Sequence, residues 1–360
     1  LRATARVTPT MVKIDKIILP TVIYKALALQ LTCPAVNSAR DRVEARSRME
    51  ATVARVHRQI RASKAFIGPD LRLVVLPEYF LTGFPMGETL AEWADKACLT
   101  LDDPLYDQLG GVATATNVFL SGNAYELDPH FPGIYFQTSF VIDPTGAVVL
   151  RYRRLNSMFA PTPHDVWERY LAVYGYEALF PVADTEIGRL ACIASEEILY
   201  PEIARCLMMR GAEVFLHSSS EVGSNLLTPK NVAKLARALE NMAYVVSANS
   251  AGIAGSDIPL ASTDGASKIV NYEGLVLAEA GYGESMAANA TLDLDALRAC
   301  RHRLGMSNFI LRQRTELYAR SYAEHAFYPV NNWPTDPPGR SHFVDQQAQT
   351  LAKLRAEHRI

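Results

Sequence analysis

Residues 188–202 read G-R-L-A-C-I-A-S-E-E-I-L-Y-P-E, and the reading of this stretch decides the fold. Leu190 to Ala194 is a short, mostly apolar run, the mark of a strand buried on both faces. It gives way to Ser-Glu-Glu, and Tyr200-Pro201-Glu202 opens a helical pattern that runs to Met209. A strand that turns sharply into a helix exposes the residue at its tip, which is a common way to present a nucleophile. Ser195 occupies that tip. Taken alone, the segment reads more simply as an ordinary strand–helix turn with a small residue at the bend. The flanking sequence has to decide.

Upstream, Lys25-Ala-Leu-Ala-Leu-Gln-Leu-Thr reads as a first strand and residues 38–64 as a long amphipathic helix, with Val43, Met49, Val53, Val56 and Ile60 on one face. Leu71 to Leu76 is a second buried strand that stops at Pro77-Glu78. A carboxylate directly after an apolar strand lies at a strand's carboxyl end, where active sites of α/β proteins collect. Two helices (about 88–98 and 103–115) and a strand (118–124) follow, then a hairpin of 134–142 and 147–152 turning on Asp143-Pro-Thr-Gly146. Residues 157–180 read as a long loop with a helical piece around Val166 to Tyr174, a length that points to a functional segment.

Downstream of the central stretch, the pattern repeats in kind. Ala212 to His217 is a buried strand, Pro229 to Met242 a helix and Ala243 to Ser250 a strand. A second hairpin turns on Glu273-Gly274, and a strand (287–292) and a helix (294–301) complete the series. Hairpins at matching places in two halves suggest two sheets packed face to face with helices outside. The expected division is an arm over 1–22, one domain over 23–303 and an extension over 304–360 that lies on a neighbour.

Composition bounds the function classes. The 360-residue chain is 49% hydrophobic and 21% charged, with net charge −2, so nothing in it advertises a nucleic-acid or anionic-membrane partner. Five cysteines without a CxxC pair point to reduced thiols and a cytoplasmic setting. The eight histidines show no ligand spacing, so no metal or other cofactor is expected. No apolar run approaches the ~20 residues that span a bilayer.

Several segments together resemble the nitrilase (carbon–nitrogen hydrolase) superfamily. Ser195-Glu-Glu197-Ile-Leu-Tyr-Pro201-Glu202 is similar to its nucleophile segment Cys-x-[Asp/Glu]-x-x-x-Pro-Glu, with Ser195 at the cysteine position. Leu76-Pro77-Glu78 is similar to the segment of the catalytic glutamate, and Tyr152-Arg153-Arg154-Leu155 to the Y-R-K-L segment of the catalytic lysine. Arg237-Ala-Leu-Glu240-Asn241, Asn249-Ser-Ala-Gly252, Gly265-Ala-Ser267 and Glu273-Gly274 fit as well. The resemblance covers roughly residues 25–303. It implies an α/β four-layer αββα sandwich, a small amide or nitrile-like substrate, and a homodimer or higher homo-oligomer.

It also implies a chemistry: a thiol attacks a nitrile or amide carbon, a glutamate moves the proton, and a lysine holds the oxyanion. By resemblance Glu78 is the base, Ser195 holds the nucleophile position and Arg154 the lysine position. Glu168 is the expected second glutamate, with Asp165 its competitor. Glu197, Tyr79 and His217 join Asp165 as candidate substrate contacts. Both substitutions change the chemistry. A serine hydroxyl is far less acidic than a thiol near ~8.5 and needs a strong, well-placed base. An arginine keeps the positive charge but is planar, bulkier and permanently protonated, and it would tend to salt-bridge Glu78. Cys192, three residues upstream inside the strand, points to the opposite face and reads as a core thiol. Three readings therefore stand side by side: a hydrolase variant using Ser195, a catalytically silent protein holding a small ligand in the same pocket, and an assembly component.

Overall fold

The computed structural model describes residues 21–222, 228–334 and 338–360. Most of the expected arm over 1–22, and residues 223–227 of the loop after Ser220, lie outside the described residues.

The strands, in chain order, are β1 (Ile23–Ala28), β2 (Cys33–Pro34), β3 (Leu71–Val75), β4 (Phe119–Leu127), β5 (Tyr135–Ile142), β6 (Val148–Arg153), β7 (Ala183–Thr185), β8 (Gly188–Ala194), β9 (Val214–Ser218), β10 (Tyr244–Ala248), β11 (Ile253–Ala254), β12 (Lys268–Val270), β13 (Val276–Glu279) and β14 (Asn289–Asp293). The helices are α1 (Arg42–Ile67), α2 (Leu90–Ala97), α3 (Pro104–Thr116), α4 (Trp167–Tyr174), α5 (Pro201–Met209), α6 (Pro229–Asn241), α7 (Leu294–His302), α8 (Glu316–Ala323) and α9 (Arg340–Ala356).

Two six-stranded sheets result, ordered β14-β1-β3-β4-β5-β6 and β13-β12-β10-β9-β8-β7. Each has a parallel centre, β1/β3/β4 in one and β8/β9/β10 in the other, flanked by antiparallel strands. β2 and β11 form a short parallel bridge between the halves. Side chains alternate across each sheet as the pleat requires. Ala26, Ala28, Leu73 and Val75 face the second sheet, in one core with Ile193, Phe215 and Val245. Leu27, Val74 and Leu120 face outward and pack under Met49, Val53, Val56 and Ile60 of α1 and Leu105, Leu109 and Val112 of α3. On the far side, Ile203 and Leu207 of α5 and Ala233 and Ala238 of α6 cover the second sheet. The αββα sandwich expected from the sequence is the fold observed. Val43 departs from its expected place: it is 78% exposed in the first turn of α1, on the side away from buried Ala45 and Met49.

One close approach fixes the rim above β3 and β4. A Cβ on Gly122 would lie 2.7 Å from Phe140 Cζ and 2.9 Å from Phe80 Cε1, so no other residue lets those two rings close over β4. Phe80 is two residues beyond Glu78, and its burial anchors the segment that carries the carboxylate.

The extension after residue 303 folds onto its own chain. The Asn331 and Trp333 amides donate to the His164 and Asp165 carbonyls, both at 3.1 Å, and Tyr322 Oη donates to Glu202 at 2.8 Å. Phe343 is the buried residue of α9. No helix among the described residues is long and apolar enough to cross a membrane.

Candidate active site

Three strand ends deliver the candidate residues to one rim. Glu78 follows β3, Arg154 follows β6 and Ser195 follows β8. The sheets are stitched together there: Glu78 N donates to Ser219 O at 3.2 Å, and Ser218 Oγ donates to Leu76 O at 2.8 Å.

Arg154 is the hub of a buried polar net. Its Nη1 donates to Gln137 Oε1 at 2.6 Å and to Glu78 Oε1 at 3.2 Å, its Nε donates to Asn156 O at 2.7 Å, and its Nη2 pairs with Glu196. Gln137 Nε2 closes the ring by donating to Glu78 Oε1 at 2.7 Å. A guanidinium has five N–H donors, so four of them are committed. Burial works against its charge, but Glu78, Tyr79 and Glu196 outweigh that and raise the guanidinium above its ordinary value. Arg154 thus holds Glu78 on one side and the neighbour of Ser195 on the other.

Ser195 has φ +48, in the left-handed region that non-glycine residues enter at a cost of about 1–3 kcal/mol. The surrounding structure pins it there. His217 is fully buried between Ser247 Oγ and the Ser195 carbonyl, each at 2.8 Å. A carbonyl only accepts, so Nε2–H donates to it and Nδ1 accepts from the Ser247 hydroxyl. Burial, reinforced by Lys234, pushes the imidazole well below its usual range and keeps it neutral. His217 is therefore a support for the turn and not the substrate contact expected from sequence.

Glu197 is also a support. It is fully buried and accepts from Tyr152 Oη at 2.6 Å, Leu155 N at 2.7 Å, Asn156 N at 2.8 Å and Ala194 N at 3.3 Å. With both oxygens committed, it ties the end of β6 to the tip of β8 and has nothing left for a substrate. Burial pushes its carboxyl up to about 7 against the pull of Arg154 and these donors.

The sequence reading missed the group that touches the serine hydroxyl. Lys230 Nζ donates to Ser195 Oγ at 3.2 Å. It projects from the first turn of α6, whose start is capped by Thr228 accepting from Asn231 N at 3.2 Å. A lysine in a first turn runs against the helix macrodipole, so helix stability does not account for it. Lys230, Lys234 and Arg237 fall at helical spacing on one face. Arg237 fastens α6 to the turn after Ser195 by donating to the Ile198 and Leu199 carbonyls at 3.0 and 3.3 Å. Lys234, fully buried, pairs with Glu221 at 3.2 Å, and burial lowers its ammonium to about 8. This cationic stripe was the available signal. Such a row ordinarily marks a solvated face, which is why it went unread.

The remaining candidates divide. Glu168 is exposed in the first turn of α4; its amide caps onto Asn331 Oδ1 at 2.9 Å, and among the described residues its carboxylate meets none of Glu78, Arg154 or Ser195. The choice of Glu168 is corrected on that ground: the helix turns it outward. Asp165 is buried and accepts from Thr162 N and Oγ1 at 2.8 and 2.9 Å, and burial pushes its carboxyl up. It shares a cavity wall with Glu196. Tyr79, φ +64, packs its ring against Phe84 and Tyr125 at 5.2 and 6.3 Å between centroids, so core packing accounts for it. Cys192 lies in the inter-sheet core near Ser121 Oγ (3.9 Å), where burial pushes the thiol up to about 12.

The comparisons with known proteins bear on the family and the fold. The sequence profile of the carbon-nitrogen hydrolase family matches residues 28–302, and the chain belongs to that family. A formamidase of Bacillus thuringiensis (strain Al Hakam) is 26% identical over 239 residues, 66% of this chain and 66% of its own length, just under two thirds. Among solved structures, a carbon-nitrogen hydrolase from Helicobacter pylori G27 superposes with TM-score 0.61 at 18% identity, covering 84% of this chain and 98% of that one. A Saccharomyces cerevisiae member of branch 10 of the nitrilase superfamily does so with TM-score 0.58 at 21% identity, covering 78% and 93%. These two likenesses speak for the fold.

Proposed function

We propose that this chain hydrolyses the C–N bond of a carboxamide at Ser195, with Lys230 as the group that takes and returns the proton. The observation that carries the reading is the contact of Lys230 Nζ with Ser195 Oγ at 3.2 Å. Family membership and the formamidase relative supply the reaction class. A hydroxyl in place of a thiol needs a base stronger than a carboxylate, and a lysine amine is one. Glu78 meets that task poorly, since its Oε1 already accepts from Gln137 and Arg154.

The steps balance. The Lys230 amine takes the Ser195 proton as Oγ attacks the amide carbon, and the ammonium so formed lies beside the developing oxyanion. Collapse breaks the C–N bond, and Lys230 gives its proton to the leaving amine, which departs as ammonia from a primary amide. Water then attacks the acyl ester; Lys230 accepts its proton and returns it to Ser195 Oγ as the acid leaves. Arg154, Glu197 and His217 position the reacting pair.

Ammonia release from short carboxamides, with intact-mass analysis for an acyl adduct, tests this. The wild type should release ammonia and carry an acyl mass at Ser195. Ser195→Ala should lose at least 10³-fold in rate, consistent with removal of a nucleophile. A Ser195→Ala protein with undiminished turnover would remove the proposal.

A further inference from the structure

A cavity of ≈ 580 Å³ opens beside the site, within the range of about 300–1,000 Å³ typical of small-molecule pockets. It meets the polar net at Glu196, the residue after Ser195 and a partner of Arg154. Its wall is built from three separated segments: Trp167, Tyr176 and Phe180 from the loop after β6, Tyr200 from the turn before α5, and Phe327 and Phe343 from the extension. The extension is fastened to the loop by the Asn331 and Trp333 amides on the His164 and Asp165 carbonyls. The charged residues on the wall are Asp165 and Glu196, both acidic, and among the described residues no lysine or arginine lines it. Rings with negative faces and positive edges favour an aromatic guest, and a wall without lysine or arginine offers an anionic one no counter-charge.

We infer that this cavity binds the hydrocarbon side of the amide and that this side is an uncharged aromatic group. The inference rests on the proposed hydrolysis at Ser195 and names its substrate class: neutral arylalkyl carboxamides in preference to short aliphatic ones and to carboxylated ones. It also gives the extension a task, because Phe327 and Phe343 complete the wall.

The test has a binding arm and a turnover arm. In Ser195→Ala, thermal stabilisation by 3-phenylpropionamide should saturate at concentrations where propionamide and 3-(4-carboxyphenyl)propionamide give none. In the wild type, kcat/KM for 3-phenylpropionamide should exceed that for propionamide at least tenfold. Phe343→Ala should cut that ratio at least fivefold. Because Phe343 is buried, Phe327→Ala, at a 53% exposed position, is the companion variant that leaves the helix packing alone, and it should lower the ratio in the same direction. Equal turnover of the two amides, with no aryl-dependent stabilisation, would overturn the inference while leaving hydrolysis at Ser195 standing. Aryl binding sensitive to Phe327 with no turnover of any amide would support the cavity's ligand class and strike the proposed reaction instead.

Discussion

Arg154 and Lys230 are two cations at the serine turn, and they are held in opposite ways. Arg154 is buried, with four donors committed to Glu78, Gln137, Glu196 and Asn156. Lys230 is half-buried at a helix start, and among the described residues its ammonium meets one partner, the Ser195 hydroxyl. A charge saturated by carboxylates is a framework element. Lys230 instead meets the hydroxyl itself. Position near Ser195 does not distinguish the two; the partners each one meets do.

That contrast can be broken at either end. Lys230→Met removes the proposed proton carrier without unpairing a buried carboxylate. It should lower kcat/KM by about 10²–10⁴-fold, the usual worth of a general base. Stability should move by no more than about 0.5 kcal/mol, as for other partly exposed positions. An unchanged kcat/KM would return Lys230 to the framework. Arg154→Met does the converse: it leaves Glu78 buried without its cation and should cost about 3–5 kcal/mol of stability. Thermal melting should fall by on the order of 10 °C, with part of the loss recovered by adding Glu78→Gln. An Arg154→Met protein of unaltered stability but lost activity would make the arginine catalytic.

A smaller effect sharpens the framework side. Glu197 rises from 4.5 in the unfolded chain to about 7 in the folded one because it is buried. Between those values the folded protein keeps a proton that the unfolded chain releases. The contribution is thus fully present below pH 4.5 and is lost as pH rises through 7. Glu197→Gln cannot ionise, so the melting temperature should lose that downward slope. It should also drop at all pH values by about 1–3 kcal/mol equivalent, because an amide N–H₂ would replace an accepting oxygen. Melting curves from pH 4 to 8 would decide; a slope unchanged by the substitution would assign it to another group.

Much of the site was legible residue by residue. Glu78, Arg154 and Ser195 each follow an apolar strand, and parallel strands bring their carboxyl ends to one rim, so reading the strands placed the residues. The turn at Asp143-Pro-Thr-Gly146 announced the hairpin whose return strand ends at Arg154. What failed were assignments of task. Glu197 carries the family pattern, yet it spends its oxygens on Tyr152, Ala194 and the backbone after Arg154. Glu168 and Asp165 are three positions apart in the sequence, and only the folded chain sets Asp165 in a buried turn on the cavity wall while the first turn of α4 carries Glu168 outward. Gln137 was invisible, a polar residue inside a strand with nothing nearby in sequence to satisfy it.

The sequence by itself determined the layers of this protein and the rim on which its chemistry is gathered, because hydrophobic period and strand ends are local properties of the chain. Only the tertiary structure decided which cation meets the serine, which carboxylates are already spent and what the extension covers. Those are pairings between segments far apart in sequence: Lys230 reaches Ser195 across 35 positions, and Glu78 reaches Arg154 across 76. Hydrogen-bond capacity is finite, and which donors remain unspent is settled only when every segment has been packed.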